Sequence, residues 1–333
     1  MNLLSDSIDF DSYFSEQTDE SAKIRPASEW AAQVIDRMYG ESSAKTWIRT
    51  GFEKANDKFE LRKGEVTLWA GINKHGKTTL LSQIMLNVMQ AGQKVCLMSL
   101  EMPPAASLEK MVKQAAGNEK PSIQYIRSFH KWTDSLLWIY NHVGKLPTKR
   151  VMAVATYVRK ELGIDHLVVD SLMKCGMGAD DYNAQKDFVD SLCAIARDTG
   201  LHIHLVAHMR KGENERTAPG KFDVKGAGEI TDLVDNIMIV WKNLRKAEKP
   251  NDPVIAAEPD GFWRVAGQRH FSWEGSFAFW FDKGSQQFLE HVNCNPTYLD
   301  VRPTTSPAVA THAIRPANIP AEVPEALLVD GEF

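Results

Sequence analysis

Eight consecutive residues, Gly71-Ile72-Asn73-Lys74-His75-Gly76-Lys77-Thr78, constrain this chain more than any other stretch. They complete the pattern G-x-x-x-x-G-K-[ST]. Such a loop works only between an apolar strand and a helix, because it aims successive backbone N–H groups at phosphate from the helix N-terminus. Both neighbours are predicted. Residues 66–70 form a short apolar run, and residues 78–90 place Leu80, Leu81, Ile84, Met85, Val88 and Met89 at helical spacing. The loop therefore predicts a nucleotide site, ATP or another NTP or dNTP, cradled by Gly71, Asn73, His75, Gly76, Lys77, Thr78 and Thr79. Lys77 reaches the β- and γ-phosphates, and the Thr78 hydroxyl helps to hold Mg²⁺.

The remaining pattern predicts a sheet covered on both faces. Apolar runs at 95–99, 167–170, 203–207 and 237–241 alternate with amphipathic stretches at 149–162 and 185–198, and Gly92, Gly163 and Gly200 supply stops. Past residue 241 the helices give out, and 262–266, 276–281 and 287–292 predict an antiparallel C-terminal extension. An α/β domain over 50–294 follows. Residues 1–25 carry Asp6, Asp9, Asp11, Glu16, Asp19 and Glu20 and are expected to form a disordered leader. Within the linker 26–49, Trp30, Val34, Ile35 and Met38 mark a short amphipathic helix, which suits packing on its own domain and docking on a neighbouring subunit equally. Residues 295–333 are punctuated by Pro296, Pro303, Pro307, Pro316, Pro320 and Pro324 and end acidic and apolar together. They are expected to be a disordered tail, either inert or a short motif that docks a partner protein.

Three further groups fall where strand ends should converge on the ligand. Asp170 closes an apolar strand and is expected to orient the magnesium. Glu101 follows the strand after the loop helix, where a carboxylate polarises an attacking water; a surface or helix-capping glutamate is the alternative. His208 closes the run Leu201–His208 on the crevice side, within reach of a γ-phosphate, whereas His202 and His204 alternate onto one strand face as half-buried residues more often than as a metal pair.

Taken in order, the loop with its His75, Ser99-Leu100-Glu101-Met102-Pro103, Leu205-Val206-Ala207-His208 and Asp223-Val224-Lys225-Gly226-Ala227-Gly228 resemble the successive motifs of the DnaB-type replicative ring helicases and their phage and mitochondrial relatives. The likeness covers about residues 50–292. It implies a RecA-like P-loop ATPase core acting as a homo-hexamer that moves 5′ to 3′ on single-stranded DNA. Glu101 is then the catalytic base and His208 the phosphate sensor. Gln268-Arg269 resembles the motif that supplies an arginine finger to the neighbouring subunit's nucleotide, the alternative being a solvated strand arginine. Two departures stand out: Gly267 replaces a usual lysine, a role Arg264 or His270 could take, and Lys225 replaces an arginine. Phe281 resembles the aromatic that stacks on the base in some relatives, though a core position is the commoner fate of such a residue.

Between His208 and Gly228, Arg210, Lys211, Arg216, Lys221 and Lys225 form a basic loop fit to track a phosphate backbone, diluted by Glu213, Glu215 and Asp223. Residues 174–186 are a less basic second candidate. A formal net charge of −4 excludes a globally basic surface, so any DNA contact must be local. Cys96, Cys175, Cys193 and Cys294 make no C-x-x-C pair, which excludes a zinc module; no apolar run is long enough for a membrane span. An acidic N-terminus points to the cytoplasm of a bacterial or phage-infected cell. The resemblance also implies a primase, helicase loader or polymerase as partner through the tails. Competing readings are a recombinase-like or DNA-dependent switch ATPase that does not unwind, and a protein that binds nucleotide without hydrolysing it.

Overall fold

Strands buried on both faces must be apolar along their length, and that requirement organises this chain. The computed structural model describes residues 2–4, 13, 26–32, 34–35, 47–178, 180–209, 219–220, 223, 228–249 and 251–301. The first strands are β1 (Asn2–Leu4), β2 (Trp47–Ile48), β3 (Leu61–Arg62), β4 (Val66–Gly71), β5 (Val95–Ser99) and β6 (Leu137–Tyr140). They are followed by β7 (His166–Asp170), β8 (His202–His208), β9 (Asn236–Lys242), β10 (Gly261–Gln268), β11 (Gly275–Asp282) and β12 (Gln287–Leu289). Ten of them form one sheet in the order β1-β6-β5-β7-β8-β4-β9-β10-β11-β12. Pairing is parallel from β1 to β9 and antiparallel from β9 to β12. The predicted strands at 66–70, 95–99, 167–170, 203–207 and 237–241 all appear within a residue of their expected ends.

The two faces carry separate cores. Helices Thr148–Leu162, Tyr182–Thr199 and Gly228–Leu233 cover one, where Val154, Val158, Phe188 and Leu192 meet Leu68, Cys96 and Leu167. Helices Lys77–Gln90, Pro104–Ala116 and Ile123–Thr133 cover the other, where Leu81, Ile84 and Met111 meet Trp69, Val206 and Trp263. Trp69 and Trp263 are fully buried, with ring centroids 5.8 Å apart. Each such side chain contributes roughly 2–3 kcal/mol of burial.

Several elements differ from the sequence expectation. Strand β6 and the helices Pro104–Ala116 and Ile123–Thr133 were not anticipated, and short helices at Leu244–Glu248 and Pro253–Ala257 follow β9 where none was expected. Two described pieces of the leader lie against the core: β1 adds a parallel edge strand to β6, and Tyr13 meets Tyr157 edge-on at 5.2 Å. In the linker, residues 27–30 form a 3-10 turn, residues 31–32 and 34–35 are helical, and Val34 and Ile35 are exposed. Packed chain also runs past residue 294. Thr297 N and Oγ1 donate to Gln287 Oε1, Leu299 N donates to Ala115 O at 2.7 Å, Tyr125 Oη donates to Leu299 O at 2.9 Å, and Val301 is buried. Proline spacing hid this strap because its hydrogen bonds are made to distant elements.

Three histidines fill the lower half of the sheet. His202 and His204 are fully buried and His166 nearly so. Trp69 Nε1 donates to His204 Nδ1 at 3.1 Å, so His204 carries its proton on Nε2, 3.1 Å from His166 Nδ1. His202 donates from Nδ1 to the Arg62 carbonyl and accepts at Nε2 from Thr67 Oγ1 at 2.9 Å. Both ring nitrogens of His202 and His204 and the Nδ1 of His166 are spent on these bonds, which is the structural use of such histidines, and among the described residues no cluster of three or more His, Cys, Asp or Glu is placed to hold a metal.

Burial holds His202 down to about 4 and pushes His166 and His204 well below the usual histidine range. An unfolded histidine titrates near 6.5, so this neutral network is fully stabilising above that pH. Stability is lost as pH falls from about 6.5 towards 4, by on the order of 3 kcal/mol for His202 alone. Urea unfolding at pH 7.5 and 4.5 checks it: the midpoint should drop steeply, and an unchanged midpoint would remove the network from the acid response.

Candidate active site

The carboxyl ends of β4, β5, β7 and β8 line up. The register sets Gly71 opposite His208 and Ser99 opposite Asp170, so the phosphate loop, Glu101, Asp170 and His208 share one rim of the sheet. At Gly71 a β-carbon would stand 2.4 Å from the Val240 carbonyl oxygen, so only glycine lets β4 leave the sheet here. Gly76, at φ 93, opens the helix Lys77–Gln90.

Lys77 reaches back over the loop. Its Nζ donates to the Gly71 and Ile72 carbonyls at 2.9 and 3.0 Å and lies 3.5 Å from His208 Nδ1. Burial lowers its pKa to about 8, while Asp170 and Glu101 pull the other way. Thr78 Oγ1 donates to Asp170 Oδ2 at 2.6 Å. Burial raises the Asp170 pKa, and the nearby Glu101 charge adds to the rise against the Thr78 hydrogen bond. These two hard oxygen donors, beside a lysine and a loop of N–H groups, match what Mg²⁺ and a polyphosphate require.

Glu101 is tied from two sides. Its Oε1 accepts from Ser171 Oγ at 2.6 Å and lies 3.2 Å from His208 Nε2. The His208 hydrogen bond, helped by Ser171 and the charge of Lys174, lowers its pKa to about 2 against the effect of burial. His208 thus bridges the lysine of the phosphate loop and the Glu101 carboxylate, Nδ1 facing Lys77 and Nε2 facing Glu101. A crevice of about 950 Å³ opens beside them, lined by Asn73, Glu101, Lys145, Lys174 and His208.

A second cavity, about 490 Å³, lies on the other flank of the loop, lined by Gly76, Thr79, Lys246, Asp260, Phe281 and Phe288. Phe281 is half-buried there, its ring centroid 5.1 Å from that of Phe288. His75 is only 6% exposed, and its Nδ1 accepts from the Lys242 N–H at 3.1 Å, seating the loop on β9.

Gln268 and Arg269 stand elsewhere. Gln268 pairs with Asn236, at the end of β9 opposite the phosphate loop, and its Nε2 donates to the Lys58 and Trp273 carbonyls. Arg269 is therefore level with the start of β4, on the order of 17 Å of strand from its own Gly71. Arg210, Lys211, Arg216, Lys221 and Lys225 lie outside the described residues. In the second loop candidate, Lys186 is paired with Glu229 at 3.2 Å.

Sequence reasoning missed Ser171 and Phe288, and it placed Lys174 in a second DNA-facing loop rather than beside Glu101. Ser171 directly follows Asp170, a usable signal, but its value depends on Glu101 arriving from another strand. Phe288 carries no local sign at all.

Comparison with known proteins agrees with this geometry. The AAA domain family matches residues 54–214. A DNA helicase/primase of Enterobacteria phage T3 is 25% identical over 224 residues, 60% of this chain and 39% of that protein. The Twinkle homolog protein, chloroplastic/mitochondrial, of Arabidopsis thaliana is 23% identical over 252 residues, 70% of this chain and 35% of that one. The chain thus spans well under half the length of either relative. Among solved structures, a DnaB-like replicative helicase described with its primase interactions superposes with a TM-score of 0.62 at 16% identity, over 80% of this chain and 67% of that one. The ATPase domain of G40P gives 0.65 at 16% identity, over 80% and 99%. Relatives, fold and phosphate site converge: the chain carries a complete phosphate loop on a fold similar to those of a DnaB-like replicative helicase and the ATPase domain of G40P.

Proposed function

We propose that this chain is an ATP-driven DNA helicase that works as a hexameric ring on single-stranded DNA and completes each hydrolytic site between two subunits. One observation carries the reading. Lys77, Thr78, Glu101, Asp170 and His208 gather on one rim of the sheet, while Arg269 stands on the far end, half exposed and remote from its own phosphate loop.

In this reading the loop N–H groups and Lys77 hold the β- and γ-phosphates, and Thr78 and Asp170 hold Mg²⁺, which neutralises phosphate charge when bound. The Thr78 hydroxyl and the Asp170 carboxylate, hydrogen-bonded to each other here, would supply the oxygens that hold the cation. Glu101, ionised at neutral pH, accepts a hydrogen bond from the attacking water and takes its proton as the phosphoryl is transferred. His208 exchanges its contact with Lys77 for one with the γ-phosphate, so departure of that group reaches the basic loop carrying Arg210, Lys211, Arg216, Lys221 and Lys225. Those cations track the DNA backbone without reading sequence. Phe281 and Phe288 receive the base in the cavity of about 490 Å³. Arg269 enters from the adjacent subunit, with His270 beside it in place of the cation that Gly267 cannot supply; Arg264 instead donates to Ser276 Oγ at 3.0 Å. The exposed Val34 and Ile35 suit docking on a neighbouring subunit. A primase, encoded separately or in a longer protein, is the partner that the relatives' names suggest.

The test is unwinding of a forked DNA with nucleotide and Mg²⁺, with electron microscopy of the same sample. Closed six-membered rings and strand separation are expected, and Lys77→Ala should weaken nucleotide binding on the order of 100-fold. Filaments that hydrolyse nucleotide without separating strands would instead establish the recombinase-like alternative.

A further inference from the structure

Arg269 is held before any partner arrives. Its Nε donates to Asp235 Oδ1 at 2.7 Å, with 54% of the arginine side chain exposed and only 10% of the aspartate. The other oxygen, Asp235 Oδ2, accepts from the Val66 N–H at 2.9 Å, and the Asp235 N–H donates to the Val66 carbonyl at 3.0 Å. Val66 begins β4, and Gly71 at its far end opens the phosphate loop. The next residue approaches a second carboxylate: His270 Nε2 lies 3.0 Å from Glu65 Oε1, and Glu65 Oε2 accepts from Asn236 Nδ2 at 2.9 Å. Residues 269 and 270 are thus clamped through two nearly buried carboxylates to the root of the strand that carries the subunit's own nucleotide.

An exposed ion pair by itself is worth little. Asp235 differs because its carboxylate is fixed by backbone, so its direction does not depend on the arginine. Using Nε for Asp235 leaves the terminal amino groups of the guanidinium for a ligand, which is how a planar fork presents two donors at once.

We propose that Asp235 is the positioning residue of Arg269, orienting the guanidinium towards the neighbouring subunit's nucleotide and tying it to β4 of its own. The inference rests on the reading of Arg269 as a cation acting across the subunit interface. Asp235 touches neither nucleotide. Its effect passes through Arg269, whose guanidinium it ties to the first residue of β4.

Asp235→Asn keeps an oxygen for the Val66 N–H but turns an amide N–H₂ towards Arg269, donor against donor. In the assembled full chain, the DNA-stimulated kcat of Asp235→Asn should fall roughly 10- to 100-fold with KM for nucleotide nearly unchanged. In an Arg269→Ala background the same change should cost nothing further, and Asp235→Glu should recover part of the rate. A purely structural aspartate would act equally in both backgrounds and lower the Tm of both, which overturns the proposal. If Arg269→Ala is slow but Asp235→Asn is not, only the positioning role fails. If Arg269→Ala hydrolyses at the wild-type rate, the interface reading fails and takes this inference with it.

Discussion

Arg269→Ala is expected to lower DNA-stimulated hydrolysis about 10³-fold or more while nucleotide binding stays within about threefold. The size follows from where charge builds up: a guanidinium placed on the transferred phosphoryl acts in the transition state far more than in the ground state. The location follows from the sheet, because Arg269 is level with the start of β4 and its own loop leaves from the other end. Mixing supplies a sharper reading. A ring built from Lys77→Ala and Arg269→Ala chains contains interfaces in which an intact loop from one meets an intact arginine from the other. Random assembly makes about a quarter of all interfaces competent, since each head-to-tail contact draws independently on its two subunits. Hydrolysis should therefore reappear on mixing two nearly inactive proteins. Continued silence, with mixed rings confirmed by mass, would mean that the arginine serves its own chain or none.

The second large effect is at Glu101. Glu101→Gln should retain nucleotide affinity and lose about 10³-fold in kcat, within the range for removal of a general base. An isosteric amide still fits between Ser171 and His208, so the fold and the crevice survive. Its lost charge is what matters. With its pKa lowered to about 2 by the His208 and Ser171 hydrogen bonds, Glu101 is ionised at neutral and mildly acidic pH. The acid limb of a pH–rate profile should consequently not lie at the ordinary carboxylate value near 4.5, and fluorescence-detected nucleotide binding should show no matching step. A limb near 4.5 that vanishes in Glu101→Gln would show that the His208 contact does not hold during turnover.

How much of this could be read from sequence divides along physical lines. The phosphate loop, Glu101, Asp170 and His208 were legible because each follows an apolar strand, and parallel strands deliver their carboxyl ends to one rim. The strands themselves were legible where both faces are covered, since continuous apolar runs have no other soluble use. Strand β6, with the sequence Leu-Trp-Ile-Tyr, is as apolar as the others but only four residues long, too short to separate from a buried helix turn. The pair of helices before it contributes Phe129 and Met111 to the core, yet Pro103, Pro104 and Pro121 around them read as loop punctuation. The roles of Ser171, Phe288 and Asp235 were not legible for a different reason. Ser171 meets Glu101, Asp235 meets Arg269, and Phe288 is fixed by Gln83 of the loop helix, all distant in the chain, and no local pattern records such a meeting. His75 also gains a contact its place in the loop does not announce: its imidazole accepts the Lys242 amide.

The strap at 297–301 has a practical outcome for anyone who trims this protein to its α/β domain. The change in composition invites a cut after residue 294. Such a cut would strip Gln287, only 2% exposed, of its Thr297 partners, and leave the Tyr125 hydroxyl and the Ala115 carbonyl without Leu299. Each orphaned polar group costs about 1–3 kcal/mol, and a domain of this kind has little to spare. A chain stopped after Arg302 should melt like the parent, whereas one stopped after Cys294 should be recovered mainly as aggregate.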